Sequence, residues 1–292
     1  MRPFADYHPL PQFLYFLTVS ILAACFVHPY TALLSLLGAL ALWFVRNTTR
    51  HLRSHLGYFA LFLLITLINP LFRHSGQTIL FFLNHNPVTL EALLYGACSA
   101  TVLVSVLYWF RTFSQIMSAD KLLYLFARLS PRLGLIVSMA LRYVPLFTRQ
   151  SRRVQTVQRM MQGGREDTLI DRSRSAARTV SVMTTWALER GVITADSMVA
   201  RGYGVGKRTD YHLFRMHKDD ILLLLATLLL GGTVILGAVS GCFDATWYPT
   251  IHLPAPTVMH TVSTAAYGIL AFIPCIFEIG GKLRWHTLQS KI

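Results

Sequence analysis

PRLGLIVSMALRYVPLFTRQSRRVQTVQRMMQGG, residues 131–164, is the stretch on which the reading of this chain turns. From Leu133, apolar or small residues recur at 133, 136, 140, 143, 147, 154, 157 and 161, with Gln150 interrupting the series. That spacing is the 3.6-residue period of one helix face. Arg142, Arg149, Arg152, Arg153 and Arg159 fall on the opposite face. The pattern predicts a helix of about 30 residues, about 45 Å long. Its first half, Leu133 to Phe147, is apolar enough to lie along a membrane interface. Its second half is too charged to cross a bilayer. Gly163-Gly164 is expected to end it with a left-handed cap.

Working outward, this helix sits inside a basic segment, Arg111 to Asp220, which holds 19 of the 27 Lys+Arg and 9 of the 13 Asp+Glu. A second helix is expected from about Ile170, with Ala176, Val180, Met183 and Ala187 at helical spacing, and a third from about Thr194 to Arg201. Their stripes can pack on that of the first helix and leave the arginines in solvent. On either side the chain is apolar. Hydrophobic residues are 53% of 292 and charged residues 14%, against roughly 25% charged in soluble domains. Apolar runs lie at 13–27, 30–45, 56–72, 90–110, 221–242 and 262–280, and several approach the ~20 residues that span a hydrocarbon core. His28-Pro29 divides the first two, because proline disfavours helix in the residue before it. We read two helices with a tight turn there, rather than one long helix kinked at Pro29.

Charge sets the topology. Arg46, Arg50 and Arg53 follow helix 2, the basic segment follows helix 4, and Lys282, Arg284 and Lys291 follow helix 6. Only Arg73 of the 27 positive residues then lies outside, as the positive-inside rule requires. The expected fold is an all-α polytopic membrane protein with about six transmembrane helices and both termini cytoplasmic. A cytoplasmic domain of about three helices is inserted between helices 4 and 5. The expected division is 1–110, helices 1–4; 111–220, the cytoplasmic and interfacial domain; and 221–292, helices 5–6. Phe81 to Thr89 is too short to span and is expected to be an outer loop lying against the bilayer surface.

Several chemistries are disfavoured. Cys25, Cys98, Cys242 and Cys275 are scattered, without zinc spacing. Leu22-Ala23-Ala24-Cys25 looks like a lipoprotein cleavage box, but the preceding residues are a poor signal-peptide start. Gly206-Lys207-Arg208 fails as a phosphate loop: Arg201 stands where the first glycine belongs and Arg208 where Ser or Thr does. His51 and His55, four apart, lack a third ligand and read as interfacial residues. No basic module interleaved with aromatics points to nucleic acid. Asp6, Glu91, Asp244 and Glu278, the acids outside the basic segment, lie near helix ends, which argues against an ion path through the spans. No cofactor is expected.

Ala200-Arg201-Gly202 ends the third predicted helix. It would project one guanidinium at a tip where backbone carbonyls are exposed, and a guanidinium can clasp a carboxylate on a docking partner through two parallel bonds.

In this context the chain resembles the transmembrane T component of energy-coupling factor (ECF) transporters, the CbiQ/EcfT-like family. His8-Pro9-Leu10, Asn69-Pro70-Leu71-Phe72 with Gly76, and Asp219-Asp220 are similar to family positions at helix ends. Gly134 to Pro145, including Arg142 and Pro145, looks like one signature. Trp186-Ala187-Leu188-Glu189-Arg190-Gly191, leading to Met198-Val199-Ala200-Arg201-Gly202-Tyr203-Gly204, looks like another. The resemblance implies a non-catalytic subunit of the prokaryotic inner membrane. It would couple two cytoplasmic ABC ATPases to a separate membrane S component that captures a vitamin or transition-metal ion. It makes Ala200, Arg201 and Gly202 the tip of the second coupling helix and Arg142, Pro145, Glu189 and Arg190 its support. The first coupling motif falls on Gln158, Met161 and Gln162, where the family's Arg and Gly are Met161 and Gln162. That departure implies unequal ATPase sockets. A polytopic membrane enzyme, or a scaffold for an acidic protein, is the alternative.

Overall fold

The computed structural model describes residues 4–47, 52–73, 76–83, 86–161, 168–206, 214–252 and 257–289. The chain divides into two compact units, one of residues 1–122 with 214–292, the other of residues 123–213.

The first unit is a helical membrane bundle. It comprises α1 (Pro9–Cys25), α2 (Pro29–Arg46), α3 (Leu52–Phe72), α4 (Leu90–Ile116), α8 (Lys218–Val239) and α9 (Val258–Gln289). Proline at the first turn starts both α1 and α2, where its missing N–H costs no intrahelical bond. The chain between them, Phe26 to His28, is non-helical, so His28-Pro29 does separate two helices. Among the described residues, five helices are long and apolar enough to cross a membrane: α2, α4, α8 and parts of α3 and α9. At 17 residues α1 is a shorter apolar helix, about 25 Å of rise. α2 packs against α4 and α9, α3 against α4, and α1 against α4 and α8.

Small residues bring these helices together, as in lipid, where no hydrophobic drive separates helix from solvent. A side chain at Gly38 would come 2.8 Å from Ala271 Cβ, so α2 and α9 touch backbone to backbone there. Some buried polar groups are paired across the bundle: Trp109 Nε1 donates to Ser35 Oγ at 3.1 Å and Tyr15 Oη to the Leu270 carbonyl at 2.8 Å. At the end of the bundle that carries Phe4 and His8, charges tie distant segments together. Asp220 accepts from the His8 N–H at 2.9 Å and, as a helix cap, from the His217 N–H at 2.8 Å. Glu278 accepts from the Phe4 N–H at 3.1 Å, and Lys121 donates to Gln12 Oε1 at 2.9 Å and to the Ala5 carbonyl at 2.5 Å. Burial lowers the Lys121 pKa, Asp6 opposes that fall, and Arg46 adds to it.

Phe81 to Thr89 is not an irregular loop. Ile79–Leu83 (β1) pairs antiparallel with Asn86–Thr89 (β2), with Phe82 opposite Pro87. The run Ile-Leu-Phe-Phe-Leu is rich in residues that favour a pleated surface; of the turn that Asn84-His85-Asn86-Pro87 suggests, Asn86-Pro87 belong to β2 and Asn84-His85 lie outside the described residues.

The second unit contains α6 (Pro131–Met161), α7 (Leu169–Ala200) and most of α5 (Ala119–Leu129). Among the described residues these three helices are not the three expected. α5 is an addition. The two helices expected from Ile170 and Thr194 are one, because Gly191 costs an exposed helix only ~1 kcal/mol and its neighbours propagate through it.

Candidate functional site: the ends of α6 and α7

α6 and α7 run antiparallel, held at three levels. Thr194 donates its hydroxyl to the Arg190 carbonyl at 2.7 Å, which leaves Tyr143 to donate to Thr194 Oγ1 at 2.6 Å. Phe147 meets Trp186 edge-on, centroids 5.3 Å apart, a geometry worth ~0.5–1.5 kcal/mol beyond its burial. Near the other end Thr179 Oγ1 donates to Gln158 Oε1 at 2.9 Å. The face of α6 turned to α7 thus follows Tyr143, Phe147, Ser151, Val154 and Gln158. The facing line on α7 runs through Ser175, Thr179, Met183 and Trp186; Met183 lies inward as expected and Ala187 is half-buried, whereas Ala176 and Val180 are exposed. Val180, expected inside, is 65% exposed. Two grooves flank the contact. One lies between Ser151–Gln155 and Met183–Leu188, the other is lined by Val154, Val157, Met161 and Val182.

The C-terminus of α7 has a complete Schellman cap. The Gly202 N–H donates to the Val199 carbonyl at 2.9 Å and the Tyr203 N–H to the Met198 carbonyl at 3.0 Å. This geometry needs a left-handed residue just past the cap, and Gly202 has φ +81°. Gly204, at φ +91°, turns the chain again. Arg201 is the cap residue and is exposed. Its cation stands at the negative end of the helix dipole, a favourable position. The tip therefore presents a guanidinium beside a sharply turning glycine backbone.

The end of α6 differs in chemistry. Met161 is its last residue, 82% exposed, and Met160 is 75% exposed. Leu169 and Ile170, which start α7, are 80% and 73% exposed. Gln162 and Gly163-Gly164 lie outside the described residues. Gln158 is turned inward onto Thr179, so it acts as a clamp between the helices. From Thr179 to Arg201 is 22 residues of α7, about 33 Å. The two tips are at opposite ends of the pair.

Of the supporting residues, Arg142, Pro145 and Glu189 are exposed, and Pro145 is accommodated inside α6. Arg190 places Cζ 5.7 Å from the Trp186 ring centroid, steadying the aromatic clasp. Gly134 is buried where α5 meets α6: a side chain there would come 2.5 Å from Ala127 Cβ. The sequence reading missed α5 and this corner. Their signal was present in the Ser130-Pro131 break, the Asp120 start and the Leu122/Leu123/Phe126 face. His55 Nδ1 lies 2.6 Å from Tyr108 Oη. His51 lies outside the described residues.

The family model of CbiQ, described as cobalt transport protein, matches residues 6–212. The match covers α1 to α7 and both tips, and stops short of α8 and α9. No curated protein matches the chain. With more than two thirds of its length matched, this multi-pass membrane protein belongs to the CbiQ cobalt transport protein family.

Proposed function

We propose that this chain is the energy-coupling T component of an ECF-type importer, passing ATP-driven motion of two cytoplasmic ABC ATPases to a separate S component that binds a vitamin or transition-metal ion. The observation that carries this reading is the Schellman-capped end of α7, where Arg201 is free to clasp a carboxylate and Gly202 lets a partner approach closely. In this reading the chain is no catalyst and ATP is hydrolysed in the partners. It crosses the prokaryotic inner membrane six times, α1 included, with both termini cytoplasmic.

Each ATPase receives one tip. The ~33 Å between the level of Thr179 and Arg201 keeps the tips apart, and their chemistry makes the sockets unequal. Arg201 asks for an acidic groove; Met160, Met161, Leu169 and Ile170 ask for an apolar one. Closure of the ATPases displaces the tips, and the pair, clasped at Tyr143–Thr194, Phe147–Trp186 and Gln158–Thr179, moves as a packed element.

The test is co-purification from native membranes in mild detergent. The wild-type chain is expected to retain two ABC ATPase subunits and a small hydrophobic membrane protein. Arg201→Glu is expected to lose at least one ATPase and solute uptake while inserting normally. Full retention of both partners and uptake by Arg201→Glu removes the coupling role from this tip.

A further inference from the structure

One end of the bundle carries unsatisfied positive charge that the coupling reading does not use. Trp43 and Arg46 come from α2, His55 and Tyr58 from α3, and Tyr108, Arg111 and Gln115 from α4. The Arg111 guanidinium carbon stands 5.3 Å from the Trp43 ring centroid and 5.7 Å from that of Tyr58. His55 lies edge-to-face on Trp43, centroids 4.2 Å apart, and is held through Nδ1 by Tyr108. Arg46 Nη2 makes one long bond, 3.5 Å, to the Gln115 carbonyl.

Four nitrogens in this cluster are covered and have no hydrogen-bond partner: Arg46 Nη1, Arg111 Nη1, Trp43 Nε1 and His55 Nε2. Trp43 is 2% exposed. Among the described residues, neither guanidinium forms an ion pair. Of the acids at this end of the bundle, Asp220 accepts from the His8 and His217 N–H groups, Glu278 from that of Phe4, and Asp6 acts on Lys121. A covered donor without an acceptor costs ~1–3 kcal/mol, more when charged. Stacking on aromatic faces offsets only part of that. The missing species is an oxyanion with several lone pairs.

We propose that this cluster binds the phosphate of an anionic phospholipid headgroup, clasped by Arg46 and Arg111 at the ends of α2, α3 and α4. Both arginines are half-buried, and one nitrogen of each guanidinium is covered. A phosphate entering beside the two guanidinium groups neutralises both charges, and small turns of their planes bring the covered N–H groups to its oxygens. A lipid is the source because all three helices are membrane spans that begin or end within a few residues of the cluster. Trp and Tyr also mark the headgroup level. Basic pockets between membrane helices on the cytoplasmic side are suited to such headgroups.

The test uses the full chain, delipidated in dodecyl maltoside, with thermal unfolding and native mass spectrometry as readouts. Three probes are added: dioleoylphosphatidylglycerol, dioleoylphosphatidylcholine and sodium phosphate. The phosphatidylglycerol is expected to raise the unfolding temperature and remain as an adduct, whereas the other two have little effect. Arg46→Gln should weaken the phosphatidylglycerol affinity about fivefold without lowering the lipid-free unfolding temperature, since it gives up one long bond and removes a covered charge that has no acceptor. Arg46→Gln with Arg111→Lys, which keeps a cation over the rings, should weaken it further. Equal stabilisation by phosphatidylcholine, or an undiminished response in Arg46→Gln, overturns the site. Stabilisation by sodium phosphate alone overturns the lipid as its source.

Discussion

Gly202 and Arg201 do different work one bond apart. Gly202 holds φ +81°, a conformation that costs a residue with a Cβ ~1–2 kcal/mol. Gly202→Val is therefore expected to fray the last turn of α7. Hydrogen exchange at the Gly202 and Tyr203 amides, whose bonds define the cap, should accelerate about tenfold at ~1.4 kcal/mol; unchanged protection would mean the cap does not depend on glycine. Arg201→Lys keeps the charge and loses the fork, so partial ATPase retention is expected, intermediate between wild type and Arg201→Glu. This tip was legible in the sequence because a helix ending in glycine is a local signal. Gln158 was not. Its partner Thr179 is 21 residues away across a helix contact, and nothing in its own neighbourhood announces an inward-facing clamp.

At the scale of elements, the fit of α5 against α6 rests on Gly134. A side chain there meets Ala127 at 2.5 Å, and overpacking of this kind costs ~1–3 kcal/mol. Gly134→Val is expected to lower the unfolding temperature, and Ala127→Gly in the same chain to restore part of it. No rescue would show that the two helices are not in contact there. The two tips make a second, comparative prediction: Met161→Glu should weaken ATPase co-purification less than Arg201→Glu, and equal loss would mark both as full docking sites. Helix periodicity identified α6 and most of α7; on α7 it placed Met183 inward correctly but Ala176 and Val180 one position away from the contact. Ser175 and Thr179 lie inward while Val180 is exposed, because hydroxyls that bond to the preceding turn or to Gln158 are tolerated at a thin two-helix contact. An apolar residue left outside such a pair is what a surface awaiting partners looks like. Gly191 was read as an interruption because propensity is a weak prior.

For the whole molecule, lipid made the reading easy. Apolar runs located the helices of the bundle with little need of tertiary detail. What they could not supply is how segments far apart in sequence are tied. Asp220 joins the start of α8 to His8 at the start of α1, 212 residues apart. Asp220→Ala is expected to destabilise the bundle by ~1–3 kcal/mol, read as a lower unfolding temperature in detergent; no change would show that the contact is incidental. The β1–β2 pair and the charged ties around Phe4 and Lys121 were illegible for the same reason: each needs a partner whose position only the fold defines. The most direct test of the central claim is site-specific photocrosslinking from position 201 in intact membranes. Coupling through α7 predicts a crosslink to an ABC ATPase that changes in yield when ATP is trapped. Crosslinks only to lipid or to proteins without a nucleotide-binding cassette would contradict it.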